Sequence, residues 1–130
     1  MKDQKAPIQL HHIHFFVQDN KAVQAWYAKT FGAKALAANP GAAFVQDQLP
    51  GVFLNFTPSP TPVVGTTGRA LDHIGFEVRN LEAFTKQLEA QGITLDRPYT
   101  KSAALGIAVA FIKDPWGTNI EMTEGLDTVK

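Results

Sequence analysis

The chain has 130 residues, 45% apolar and 18% charged, a balance that suits one compact domain or two small modules sharing a core. Its 12 basic and 12 acidic residues cancel without forming a basic patch, which argues against nucleic acid and anionic membrane as partners. It has no cysteine, so disulfides, thiolate nucleophiles and Cys-based zinc sites are excluded together.

Residues 1–9 are polar, lack the apolar middle of a signal peptide, and read as a flexible arm. No apolar run reaches the length of a membrane helix. A cytoplasmic location is expected, with a trimmed exported precursor left open. Residues 10–17, LHHIHFFV, predict a strand from their β-branched and aromatic content. Alternation puts Ile13, Phe15 and Val17 on one face, suited to burial under a helix. His12, His14 and Phe16 share the other face, and His11 falls with Ile13 at the strand edge.

Asp19 and Asn20 offer a cap for a helix over 21–31. Ala22, Val23, Trp26 and Tyr27 make its stripe, Thr30 and Phe31 close it, and Gly32 is placed to stop it. Strands are predicted over 33–38, 42–46 and 52–56, separated by turns at 39–41 and 50–51. The first module, 10–57, is therefore strand, helix and three strands. Residues 58–69 carry Pro58, Pro60, Pro62, Gly65 and Gly68 and read as a connector.

The second module, 70–124, repeats this pattern. A strand over 71–78 places Ile74, Phe76 and Val78 on the apolar face and His73 where the first module has His12. Asn80 caps a helix with the stripe Leu81, Phe84, Leu88 and Gln91, ended by Gly92. A strand over 93–96, a loop over 97–106 containing Tyr99 and Lys101, and a strand over 107–113 follow. Asp114-Pro115-Trp116-Gly117 fits a type I turn, 118–123 forms the last strand, and the tail 125–130 is expected to fray. Aligning the modules matches Asn55 with Glu121, so four corresponding positions are His, Asn, His and Glu.

The strings LHHIHFFVQDN, WYAKTFGA, LDHIGFEV and DPWGTNIEM resemble the vicinal oxygen chelate superfamily over almost the whole chain. That group includes glyoxalases, type I extradiol dioxygenases, fosfomycin-resistance transferases, methylmalonyl-CoA epimerase and bleomycin-binding proteins. The resemblance implies an α+β fold of two βαβββ modules with curled mixed sheets, the glyoxalase-like fold. Its metal ligands lie on the first and last strands of each module, which implies His12, His73 and Glu121 here. Asn55 occupies the fourth place, where glyoxalases carry a carboxylate. Two imidazoles and one carboxylate with open positions suit Fe2+, Mn2+, Ni2+ or Zn2+.

Expected catalytic residues are His14 and Glu121. His14 has three readings: a general acid or base, a partner behind the ligands, or a substitute ligand. Asn55, Glu77, Phe16 and Asn119 are expected at the substrate cavity, with Glu77 read either as a substrate contact or as a rim residue. The function implied is a divalent-metal enzyme that chelates a small oxygen-rich substrate, by lyase, isomerase or ring-cleaving dioxygenase chemistry. No organic cofactor is expected. The alternative is a metal-free binding protein of the bleomycin-resistance type. The resemblance also implies a homodimer, with a site completed within one chain or across two.

Overall fold

The computed structural model describes residues 5–128, so residues 1–4 of the predicted arm and 129–130 of the tail lie outside the described residues. The chain falls into two compact units, Met1–Val63 and Val64–Lys130. Each unit has one four-stranded mixed sheet and one helix in the order βαβββ, so the fold is α+β as expected. No helix among the described residues is long and apolar enough to cross a membrane.

The first unit contains β1 (His12–Val17), α1 (Asn20–Phe31), β2 (Lys34–Ala35), β3 (Val45–Leu49) and β4 (Val52–Pro58). Its strand order is β1-β4-β3-β2, with β1 parallel to β4 and the other pairs antiparallel. The Asp19 carboxylate accepts from the Ala22 N–H at 2.9 Å, and Gly32 closes α1 in the left-handed region at φ 67°. Val23, Tyr27 and Thr30 are the buried side chains of α1. Trp26 is half-buried and Ala22 exposed, so the apolar stripe is narrower than predicted. Tyr27 packs on Phe15 and Phe56 with ring centroids 5.6 and 5.5 Å away.

The alternation read for β1 holds. Phe15 and Val17 are buried, while His12, His14 and Phe16 are exposed on the opposite face. His11 departs from the expectation. The strand begins after it, so its ring is released from the alternation and meets His12 and Phe53 at 5.3 and 5.1 Å. The hairpin sets the third strand later than predicted, at Val45–Leu49 rather than 42–46. Pro50 and Gly51 form a two-residue turn, and Leu49 pairs directly with Val52.

The second unit contains β5 (Ile74–Glu77), α2 (Leu81–Ala90), β6 (Arg97–Lys101), β7 (Ala108–Lys113), β8 (Asn119–Glu124) and a 3-10 turn, Leu126–Thr128. Its order is β5-β8-β7-β6, with β5 parallel to β8. Asn80 caps α2 as expected, and the Glu124 carboxylate accepts from the Asn80 and Leu81 N–H groups at 2.9 and 3.1 Å. At the other end the Gly92 and Ile93 N–H groups return to the Glu89 and Leu88 carbonyls, the Schellman arrangement. The buried side chains are Leu81, Thr85 and Leu88, so Thr85 takes a place predicted for Phe84 and Gln91.

The predicted strand over 93–96 is replaced by β6 at Arg97–Lys101, inside the predicted loop. β6 is the edge strand, where Pro98 is tolerated without an N–H, and its pairing with β7 shifts between Arg97 and Thr100. Tyr99 and Lys101 therefore belong to a strand. The tail also departs from the expected fraying. Glu77 accepts from the Gly125 and Leu126 N–H groups and from the Thr123 hydroxyl, and these bonds hold the 3-10 turn.

Candidate metal centre

In the second unit the register aligns Gly75, Glu121 and Phe111 across β5, β8 and β7. Glu121 therefore projects between a residue without a side chain and an aromatic ring. His73 immediately precedes β5 and places its Nε2 3.2 Å from Glu121 Oε2. The two side chains are 38% and 28% exposed, so the pair opens outward from the sheet. Phe111 meets the His73 ring edge-on at 5.7 Å, and the Arg97 guanidinium lies 5.8 Å over the Phe111 ring.

Asp72 accepts from His73 Nδ1 at 2.7 Å. Its carboxylate is itself held by the Gly68 N–H at 2.5 Å and the Asn119 amide at 3.3 Å. Thr66 braces the same corner, donating its hydroxyl to the Asp72 carbonyl and accepting from the Asn119 N–H. The Asp72 carboxylate raises the His73 pKa above its usual value, with Glu121 adding to this and desolvation opposing it. The Gly68 N–H and the His73 ring hold the Asp72 carboxyl below the usual range.

Asp72 and Glu121 are both acceptor-only carboxylates, and the shorter contact, 2.7 Å to Asp72 against 3.2 Å to Glu121, favours Nδ1 for the proton of a neutral His73 ring. In that form the Nε2 lone pair faces the Glu121 carboxylate at 3.2 Å, a contact that either a second proton on the ring, which the raised pKa favours, or a metal ion beside both atoms satisfies. Ligand bonds of about 2.0–2.2 Å at tetrahedral to octahedral angles separate two donor atoms by roughly 2.8–3.6 Å. The spacing and the donor types fit a divalent metal.

In the first unit His12, His14 and Phe16 line the sheet face away from α1. His12 Nδ1 lies 3.1 Å from His11 Nδ1, and its ring is 6.0 Å from His14. His14 Nε2 shares a 2.6 Å hydrogen bond with the Thr57 hydroxyl. The His14 ring stacks on Phe16 at 6.1 Å and meets the edge of Phe44 at 5.6 Å. Asn55, paired in register with His14 and Gln46, accepts from the Gln46 amide at 2.7 Å.

The structure thus joins His73 to Glu121, and groups His12 with His14 on the other unit. Among the described residues no group of three or more His, Asp or Glu side chains forms a metal cluster. Asn119 is buried and serves Asp72, and Glu77 is engaged with the chain end. Asp72, Phe111 and Arg97 were not among the predicted site residues. Asp72 had one signal, its place directly before His73, and Phe111 another, its alternation in the strand before the DPWG turn. Arg97 had none, because its strand was read as loop.

Residues 9–122 match the family profile described as Glyoxalase/Bleomycin resistance protein/Dioxygenase superfamily. The chain belongs to that superfamily. Solved structures similar to this superfamily member include "Oxidase ChaP-H2", with 20% identity, a TM-score of 0.71, and coverage of 92% of this chain and 94% of that one. A lactoylglutathione lyase from Agrobacterium tumefaciens gives 19% identity and a TM-score of 0.68, covering 92% and 96%. A member of the same superfamily from Sphaerobacter thermophilus gives 20% and 0.72, covering 90% and 97%. No curated protein matches. These likenesses establish the fold, and the superfamily itself rests on the family profile, whose description names glyoxalases, bleomycin resistance proteins and dioxygenases.

Proposed function

We propose that this glyoxalase-superfamily member is a divalent-metal enzyme that binds a small oxygen-rich substrate, with His12, His73 and Glu121 as ligands. The observation that carries the reading is the 3.2 Å approach of His73 Nε2 to Glu121 Oε2, with Asp72 Oδ1 2.7 Å from the other ring nitrogen. His12 enters as the third donor through its correspondence with His73 in the repeat. Once bound, the metal would act as a Lewis acid toward a carbonyl, enolate or catecholate oxygen.

The remaining chemistry falls to the chain. His14 is the proton-transfer group: Thr57 occupies its Nε2, leaving Nδ1 for a substrate proton, and Phe16 and Phe44 fix the ring plane. Asn55 supplies an amide where a second carboxylate base would stand, which disfavours the symmetrical proton shuttle of a glyoxalase. The Arg97–Phe111 pair beside His73 offers a cationic and apolar wall for an anionic substrate.

Metal analysis of protein purified without chelators tests the reading. About one divalent ion per site is expected, with most of it lost in His73→Ala, since removing one donor leaves an incomplete shell. Unchanged metal content in that variant refutes the assignment. A second reading, metal-free binding of a flat aromatic ligand, draws on the 64% exposed Phe16 stacked beside His14. Tight aromatic binding by metal-free protein, with no turnover of catechols or glutathione hemithioacetal under any metal, would favour it.

A further inference from the structure

We propose that Asp72 is a positioning residue that keeps the His73–Glu121 pair open to metal by excluding the histidine tautomer that would close it. The inference rests on the proposed metal site and adds what prepares it. A neutral His73 has two ways to meet Glu121 at 3.2 Å. With its proton on Nε2 it donates to Oε2, and the two donor atoms satisfy each other in a hydrogen bond. With its proton on Nδ1 it presents a lone pair, and the pair accepts a cation. Asp72 Oδ1, 2.7 Å from Nδ1, rewards the second form alone.

The surroundings of Asp72 fit this role. Gly68 N–H reaches Oδ2, Asn119 Nδ2 reaches Oδ1, and Thr66 ties the Asp72 carbonyl to the start of β8. The segment carrying Thr66 and Gly68 packs on the β7–β8 turn, where Thr66 N–H donates to the Gly117 carbonyl at 3.0 Å. The carboxylate is thus held by backbone and amide donors from two places in the unit, and it approaches His73 already oriented.

The corresponding position in the first unit makes the contrast. The residue before His12 is His11, at 3.1 Å between Nδ1 atoms. An imidazole can donate or accept, so that contact selects no tautomer. Tautomer control therefore lies in the second unit, where the carboxylate neighbour of the ligand pair would otherwise capture the proton.

The test uses metal-free protein labelled with 15N at histidine, at a pH where the ring is neutral. Wild type should carry the His73 proton on Nδ1. Asp72→Ala should move it to Nε2, where it bonds Glu121. Asp72→Asn, whose side-chain oxygen can still accept, should restore the Nδ1 form. In parallel, Asp72→Ala should weaken metal binding about 10- to 100-fold, with Asp72→Asn intermediate. A His73 tautomer unmoved in a folded Asp72→Ala protein overturns the proposal, as does unchanged metal affinity beside a moved proton. Failure of wild type to bind metal would strike the proposed function instead, and the metal-free spectrum reads the tautomer separately from it.

Discussion

At the residue scale, the side chain most at odds with its surroundings is Asp47. It sits on the α1 side of β3, is fully buried, and neither carboxylate oxygen has a hydrogen-bond partner among the described residues. Burial is the largest cause and pushes its pKa up to about 6 from 3.8. A raised carboxyl pKa means the folded state binds the proton more tightly than the unfolded state. Stability is thus fullest below the unfolded value, falls as pH rises toward about 6, and stays reduced above it. The shift corresponds to on the order of 3 kcal/mol. Asp47→Asn, a neutral isostere, should raise stability by about 2–3 kcal/mol at pH 8 and change little near pH 3.5, measured by urea unfolding. An equal change at both pH values would contradict this account of Asp47. Nothing in the sequence marks this residue, because an Asp between two glutamines, just past the strand predicted over 42–46, reads as solvent-facing. The placement of His12, His73 and Glu121 at corresponding points of the two units was legible because a repeated unit marks such positions twice. The partners of their spare atoms were not, since Asp72 and His11 act from beyond the strand ends.

At the element scale, the connector does more than join two units. Gly65 and Gly117 meet so closely that a Cβ on Gly65 would lie 2.8 Å from the Gly117 carbonyl oxygen, and one on Gly117 would lie 2.8 Å from Gly65 Cα. Gly117 also has φ +91°, while Gly68 has φ +76° with open space around it. Gly68→Ala should therefore cost about 1 kcal/mol or more through backbone conformation alone. Gly117→Ala bears that cost and the overlap, so it should unfold at clearly lower urea and loosen the corner that seats Asp72. Equal losses for the two variants would show that the close approach carries no weight. The proline and glycine content announced a connector. Its fastening to the β7–β8 turn was hidden, because the bonds run from Thr66 to residues far along the chain. β6 was misplaced for a related reason. Residues 97–106, which include Pro98, read as a loop, yet an edge strand needs only one side of its backbone paired.

At the scale of the whole molecule, the repeat made the architecture readable: two strand starts, two capped helices and two closing hairpins, each with matched apolar faces. The structure bears out that fold, and the family profile agrees. What the repeat could not supply is the chemistry that separates the halves. The first unit carries His14 and Phe16 where the second has Gly75 and Glu77, and Asn55 where the second has Glu121. Within the second unit His73 and Glu121 already lie side by side, with Asp72 against the other nitrogen of the ring. Titration of metal-free protein with Co2+, followed by the visible ligand-field bands, tests the central claim most directly. Wild type and His14→Gln should each reach saturation at one ion per site with nitrogen-ligand bands, whereas His73→Ala and Glu121→Ala should show only hydrated cobalt. Bands unchanged in His73→Ala and Glu121→Ala, or lost in His14→Gln, would contradict the account.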